Sequence, residues 1–174
     1  MSRADWKAHG RFNTDTETNM IFEGIHGWRH AYGDQLPYFR YNAGGTEYDD
    51  VYGEASGTGR AYDGPFNLPA IHVTHIRGAN ENGPVGFYYN DDLTATIAFD
   101  QYTQSGMILS DVDTGNYDKD RVVYDQKAFR ITQISIRGQI QQRDTIVVIN
   151  ATELKPDELV DDAVMAQYTN YPTP

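Results

Sequence analysis

Residues 118–152 limit the fold more than any other part of the chain. They hold three runs rich in β-branched and aromatic residues, at 118–125, 128–137 and 145–152, parted by the polar segments 126–127 and 138–144. Runs of that make-up between short turns predict a three-stranded antiparallel meander. In the middle run Phe129 and Ile131 share one parity, while Ile134 and Ile136 share the other. Side chains alternate faces along a strand, so keeping all four on one side requires a β-bulge near Thr132 and Gln133. The last run is apolar at both parities from Ile146 to Ile149. That pattern fits a strand covered on both faces, by the chain itself or by a neighbouring subunit. The plainest meaning of the stretch is the core of a barrel or sandwich with no chemistry in it.

Before the meander, residues 1–13 are polar and aperiodic, as in an extended arm. From Thr14 or Thr16, the apolar residues Met20, Ile21, Phe22, Ile25, Trp28 and Tyr32 recur three and four apart. This spacing predicts a helix with one apolar face, despite Gly24 and Gly27, and ended by Gly33 in a left-handed cap. A strand is expected at 36–42, with Pro37 at an edge or at its start. Residues 43–65 form a long segment with six glycines and Tyr48, Tyr52 and Tyr62, without helical or strand pattern. Loops of that length in a compact domain are functional or disordered, and the tyrosines favour one that packs against a partner. A strand at 67–77, a turn at 78–84, and two strands at 87–89 and 93–99 around Asn90-Asp91-Asp92 follow. A short helix at 100–109 capped by Asp100, a loop at 110–116, and a helix from Pro156 to about Met165 complete the chain. The expected fold is mainly β: a small antiparallel barrel or sandwich of six or seven strands. Its divisions are an N-terminal arm with helix at 1–35, the β domain at 36–155, and a short helix and tail at 156–174.

Composition narrows the function. With 174 residues the chain can bury a core of its own. It carries 14 Lys and Arg against 25 Asp and Glu, a formal charge of -11. Such a surface repels a polyphosphate, which disfavours sequence-tracking nucleic-acid binding but suits a conduit through which DNA slides without sticking. There is no cysteine, so neither disulfides nor thiolate metal sites can form. No run approaches the ~20 apolar residues of a membrane span, and residues 1–7 lack the apolar core of a signal peptide, so a soluble chain assembled in the cytoplasm is expected.

The chemistry-bearing residues do not assemble into a catalytic pattern. His72 and His75 point to opposite faces of their strand, and His26 and His30 share a helix face without a third ligand, so no metal is expected. The stretch Asp111-Val-Asp113-Thr-Gly115-Asn116 alternates oxygens as a calcium loop does. However, Val122 stands where the twelfth-position acid belongs, and the glycine is at the fifth place rather than the sixth. The pairs Asp49-Asp50, Asp91-Asp92 and Asp161-Asp162 are adjacent carboxylates, which diverge on strands and loops. No nucleophile elbow, phosphate loop or dinucleotide fingerprint occurs, so neither an enzyme nor a cofactor is expected.

Several short runs resemble the head-to-tail stopper, or head-closure, proteins of long-tailed bacteriophages, most like those of actinobacterial hosts. They are Tyr48-Asp-Asp-Val-Tyr-Gly-Glu54, Gly59-Arg-Ala-Tyr62, Gly64-Pro65 with Leu68-Pro69, Arg121-Val-Val-Tyr-Asp125 with Phe129, Ile136-Arg-Gly-Gln-Ile140, Arg143-Asp-Thr145 and Lys155-Pro-Asp-Glu-Leu-Val160. The resemblance covers residues 38–161, and the first 35 match least. It implies a virion protein of the neck, located at the head-tail interface. Six copies, or twelve, would form a ring below the portal and adaptor and above the tail terminator or tail tube, closing the DNA-filled head and docking the tail. It also implies that the 43–65 loop projects into the DNA channel. Gly44, Gly45, Tyr48, Asp49, Asp50, Tyr52, Glu54, Gly57 and Gly59 would form the gate, with Asp49, Asp50 and Glu54 near the lumen and Gly44, Gly45, Gly57 and Gly59 as hinges. DNA would pass without sequence-specific binding, and no membrane is involved. Two other readings compete. A tail-tube or tail-terminator subunit usually needs a long hairpin, and no pair of long strands around a suitable loop is legible. A carbohydrate-binding barrel on the virion surface would want tryptophans on its sheet, whereas Trp6 and Trp28 lie outside the expected strands.

Overall fold

The computed structural model describes residues 14–46, 59–83, 86–140, 143–159 and 162–168. Helix α1 spans Thr14–Tyr32, followed by strands β1 (Asp34–Tyr41), β2 (Tyr62–Gly83) and β3 (Gly86–Ala98). Two short helices, α2 (Phe99–Gln104) and α3 (Leu109–Thr114), lead into β4 (Arg121–Tyr124), β5 (Lys127–Ile140) and β6 (Arg143–Glu153). Helices α4 (Pro156–Leu159) and α5 (Ala163–Ala166) close the chain.

The six strands close into a barrel in the order β1-β2-β3-β6-β5-β4. It is two antiparallel meanders, β1-β2-β3 and β4-β5-β6, joined along two seams. The β3–β6 seam is long, pairing Asp92–Ala98 with Ile146–Thr152, whereas the β1–β4 seam has two pairs, Tyr38 with Val122 and Phe39 with Arg121. Pro37 lies on a part of β1 that pairs with β2 but not β4, where its missing N–H costs least.

The meander forms for the reasons its sequence gives. Asp125 and Gln126 both take positive φ, 50° and 61°, between the paired Tyr124 and Lys127, the backbone of a tight type I′ hairpin. The register of β5 against β6 shifts between Ile131 and Gln133, leaving Thr132 as the extra residue. Its Oγ1 donates to the Asn150 carbonyl at 3.0 Å, and Phe129, Ile131 and Ile134 all face the core. In β6 Val147 and Ile149 fill the barrel, and Val148 on the opposite face is also buried.

Inside the barrel Leu36, Tyr38, Leu68, Leu93, Ile97, Val122, Phe129, Val147 and Ile149 are buried. The α2–α3 crossover closes one end by inserting Tyr102 and Met107, with Leu109, Val112 and Tyr117 packed behind them. Burial comes first in pushing the Tyr102 hydroxyl up to about 12. A smaller cluster lies outside the barrel wall, where Leu154, Leu159 and Met165 cover Phe39, Val123 and Ala128.

Five sequence expectations are corrected. Strand β2 runs on to Gly83 through a register shift at Ile76/Ala79, so the expected 78–84 turn is strand up to its last residue. Strand β3 is continuous through Asn90-Asp91-Asp92, because the buried Asp91 finds partners for its carboxylate within the sheet. The result is a long β2–β3 hairpin, which the sequence did not show. Helix α3 occupies 109–114 where a loop was expected, ending at Gly115 with φ 71°. Strand β2 begins at Tyr62, so the open part of the 43–65 loop is shorter by four residues, with a cis peptide at Gly64-Pro65 inside the strand. Gly33 does not take the left-handed conformation. It is glycine because a Cβ there would stand 2.4 Å from the Arg29 carbonyl and 2.7 Å from that of Ala70.

The apolar residues of helix α1 divide between the barrel and solvent. Thr18 is buried and Phe22, Ile25 and Arg29 are half-buried, with Arg29 Nη1 donating to Gln101 Oε1 at 2.7 Å. His26 Nε2 lies 2.8 Å from Asp100 Oδ2, near enough for an ion pair but out of line for a hydrogen bond. The polar anchors of α2 therefore set the helix rotation, and Met20, Trp28 and Tyr32 face solvent.

Candidate functional site

Antiparallel alternation places the features of the barrel at two ends. At one end lie the β1–β2 loop, the α2–α3 crossover and the tip of the β5–β6 hairpin. At the other lie the β4–β5 turn, the C-terminus of β6 and the β2–β3 hairpin, which continues past the last β3–β6 pair at Asp92.

The stem of the loop is tied down from both sides. Asn42 N–H donates to the Ala61 carbonyl at 2.9 Å, and Asn42 Nδ2 donates to Asp63 Oδ1 at 2.9 Å. Asn42 Oδ1 accepts from Gly45 N–H at 2.9 Å. The buried Thr46 hydroxyl donates to the Asn42 carbonyl at 2.8 Å and accepts from Ala61 N–H at 3.1 Å. Asx-type turns of this kind fix the backbone through a side chain. Of the expected gate residues, Gly44 and Gly45 lie in this turn, and Gly59 is buried at φ 82° on the return. Tyr48, Asp49, Asp50, Tyr52, Glu54 and Gly57 lie outside the described residues.

Beneath the stem is a buried polar pair. The Tyr38 hydroxyl donates to Asp120 Oδ2, and Asp120 Oδ1 accepts from Tyr41 N–H at 2.7 Å. Burial raises both groups, and the Asp120 charge pushes the Tyr38 hydroxyl further up. Lys119 Nζ stands 5.1 Å over the Tyr41 ring. A cavity of about 370 Å³ opens here, lined by Arg40, Tyr41, Ala43, Asp111, Asn116, Asp118, Lys119 and Asp120. On the outer wall Arg121 is 3% exposed, and its Nη1 donates to the Asp118 and Asp120 carbonyls at 3.3 and 2.9 Å. Burial lowers its pKa, and nearby the Tyr62 hydroxyl donates to Asp162 Oδ2 at 2.6 Å.

At the opposite end a charge network locks the base of the β2–β3 hairpin. Asp91 Oδ2 accepts from His75 Nε2 at 2.9 Å and Lys127 Nζ at 2.7 Å, and Oδ1 accepts from Gly78 N–H at 2.8 Å. Lys127 also reaches Glu153 Oε1 at 2.9 Å, and Asp91 N–H donates to Glu153 Oε2 at 3.2 Å. Burial opposes ionisation of Asp91, but the hydrogen bonds from Lys127, Gly78 and His75 outweigh it and hold the carboxyl at about 2. Burial lowers Lys127 and its two carboxylate partners raise it, with a net rise. The His75 ring stands edge-on to Tyr124 and Phe129 at 6.0 and 5.7 Å. A groove of about 640 Å³ adjoins it, lined by residues including Asp34, Pro37, Arg77, Tyr124 and Asp125. The sequence missed this network, and its legible signal was a turn-forming Asn-Asp-Asp triplet inside a β-rich run.

The other candidates do not converge. Asp92 turns away from Asp91 to accept from Thr152 at 3.2 Å, His72 is exposed beside Thr74, and Asp111 and Asp113 sit on α3. Among the described residues no three His, Asp or Glu side chains gather as metal ligands.

No protein-family model matches the chain, and no curated protein matches it. Among solved structures, a chain of "Virion of native gene transfer agent (GTA) particle" is similar over 70% of this chain and 94% of that one, at 14% identity and a TM-score of 0.45.

Proposed function

We propose that the chain is a structural subunit of a phage-type virion, and within it a head-to-tail stopper. Copies form a ring in the neck that closes the filled head and docks the tail. The observation that carries this reading is the β1–β2 loop: a glycine- and tyrosine-rich excursion on a stem fixed by Asn42 and Thr46, at the position where the sequence resemblance implies a channel loop. A rigid stem lets a ring of such loops narrow a channel without deforming the barrel. The acids Asp49, Asp50 and Glu54 would keep DNA from adhering while the loops hold it, and Gly59 supplies backbone freedom for release. The two unlike ends of the barrel suit a part that meets an adaptor on one side and a tail on the other.

Cryo-electron microscopy of particles carrying this chain tests the reading. A ring between adaptor and tail with residues 43–65 facing the lumen is expected, and density on the outer surface refutes it. A second reading, a tail-tube or tail-terminator subunit, is favoured by the long β2–β3 hairpin, with strands of 22 and 13 residues. In that case the hairpin stacks ring on ring along the tail axis.

A further inference from the structure

The exposed side of α1 gathers four of the six large apolar side chains that the described residues leave exposed. At 100° per residue Glu17, Met20, Ile21, Gly24, Trp28, Ala31 and Tyr32 fall on one side of the helix, with Glu17 its one charge, at the N-terminal end. Glu23 and His30 fall on another, and Arg29 and His26 face α2. Met20 is 66% exposed, Ile21 37%, Trp28 57% and Tyr32 72%. The Trp28 and Tyr32 rings stack on each other, with centroids 4.9 Å apart. Nothing lies within 4 Å of a Cβ built on Gly24, so the helix backbone is open to close approach there.

We infer that this strip is where one copy of the chain grips the next. The argument is electrostatic and areal. At a formal charge of -11, identical copies repel over most of their surface, so a self-contact belongs on an apolar strip whose single charge, Glu17, lies at its end. Side chains of these kinds present roughly 150–250 Å² each when aromatic, and the strip exposes on the order of 400 Å². That is the size of the largest functional patches on monomers, and about half of the ~800 Å² per partner of a standard interface. A single contact is therefore weak, and a closed ring, which gives each copy two, is what holds it. The other large exposed apolar side chains among the described residues, Ile76 and Ile108, lie elsewhere, on β2 and just before α3. A strip that meets a different patch on its neighbour makes the head-to-tail contact from which rings close. This inference rests on the ring in the reading above but not on its place in the neck.

The test uses the full chain with Trp6→Phe, which leaves Trp28 as the one tryptophan. Sedimentation velocity and Trp28 fluorescence are followed together from dilute protein up to the solubility limit. The expected result is assembly accompanied, over the same concentrations, by a blue shift and at least a twofold loss of acrylamide quenching. Trp28→Glu should abolish assembly while leaving the circular dichroism unchanged. Assembly with Trp28 still fully quenchable overturns the inference and leaves the ring intact, built on another face. Protection of Trp28 in the monomer overturns it in favour of residues 1–13 of the same chain, and protection only on adding phosphatidylglycerol vesicles in favour of a lipid surface. No assembly at any concentration overturns the self-contact, whereas the neck location is judged separately by microscopy.

Discussion

Replacing Asp91 by Asn keeps the shape of the side chain and removes its charge, so it isolates the electrostatic part of the hairpin clamp. Asp91 is 6% exposed and accepts three hydrogen bonds, from His75, Lys127 and Gly78. Its carboxyl titrates at about 2 when folded against a reference value of 3.8. At 1.36 kcal/mol per pKa unit, the ionised form stabilises the fold by about 2 kcal/mol at pH 7. Direct loss of a buried partner gives a similar figure. Removing one member of a buried pair costs about 3–5 kcal/mol, less here because Lys127 keeps Glu153. The folded value is depressed, so the stabilisation is complete above the unfolded value and is lost as pH falls from about 4 to about 2. Guanidinium unfolding of both proteins at pH 7, 3 and 2 should show Asp91→Asn less stable by about 2, about 1 and well under 1 kcal/mol. A difference below about 0.5 kcal/mol at pH 7, the range of ordinary surface changes, refutes the reasoning. So does one as large at pH 2 as at pH 7.

The β4–β5 hairpin carries Gln126 at φ 61° on an exposed turn, so Gln126→Gly relieves left-handed strain and should raise stability by about 1 kcal/mol, a gain of about 2–4 °C in melting temperature. Deleting Thr132 removes the bulge residue and restores plain alternation with Phe129, Ile131 and Ile134 still on one face, so a cooperative melting transition by calorimetry should persist. Gly59→Ala places a Cβ at φ 82° and should cost about 1–2 kcal/mol in chemical denaturation, whereas the same change at Gly44 should cost less. Tyr38→Phe leaves the buried Asp120 one donor short, for a loss of about 1–3 kcal/mol at pH 7. Because burial raises the Asp120 carboxyl, its ionisation opposes folding, whereas that of Asp91 favours it, and the loss should shrink as pH falls and the carboxyl takes up its proton.

The second meander was legible to within about three residues at each strand end because its side chains obey a strict period and its turns are short. The parity switch in β5 places the bulge near Thr132 and Gln133, and Thr132 is the extra residue. The first meander was obscured by Asn90-Asp91-Asp92, whose residue types signal a turn whenever their partners are out of view. The partners of Asp91 lie 16 and 36 positions away, at His75 and Lys127. Helix α1 was found by its period, but its rotation was not, because an apolar stripe does not say whether it faces the barrel or a neighbour. That choice rests on Arg29 reaching Gln101, a contact between residues 72 apart in sequence. The loop at 43–65 was flagged by glycine and tyrosine content, whereas its stem depends on Asn42 and Thr46, which read as ordinary polar residues.

The two-pair seam between β1 and β4 makes the barrel a clasped bracelet rather than a welded hoop. Pulled across its diameter, it would part at Tyr38–Val122 and Phe39–Arg121 long before the seven-pair β3–β6 seam yields. What then remains is a curled six-stranded sheet with two bare edges, the geometry that invites a strand from another chain. Helices α4 and α5, which cover Phe39 and Val123 across that clasp, act as its safety catch. Trimming the chain before Leu154 would therefore turn a closed cylinder into an adhesive one.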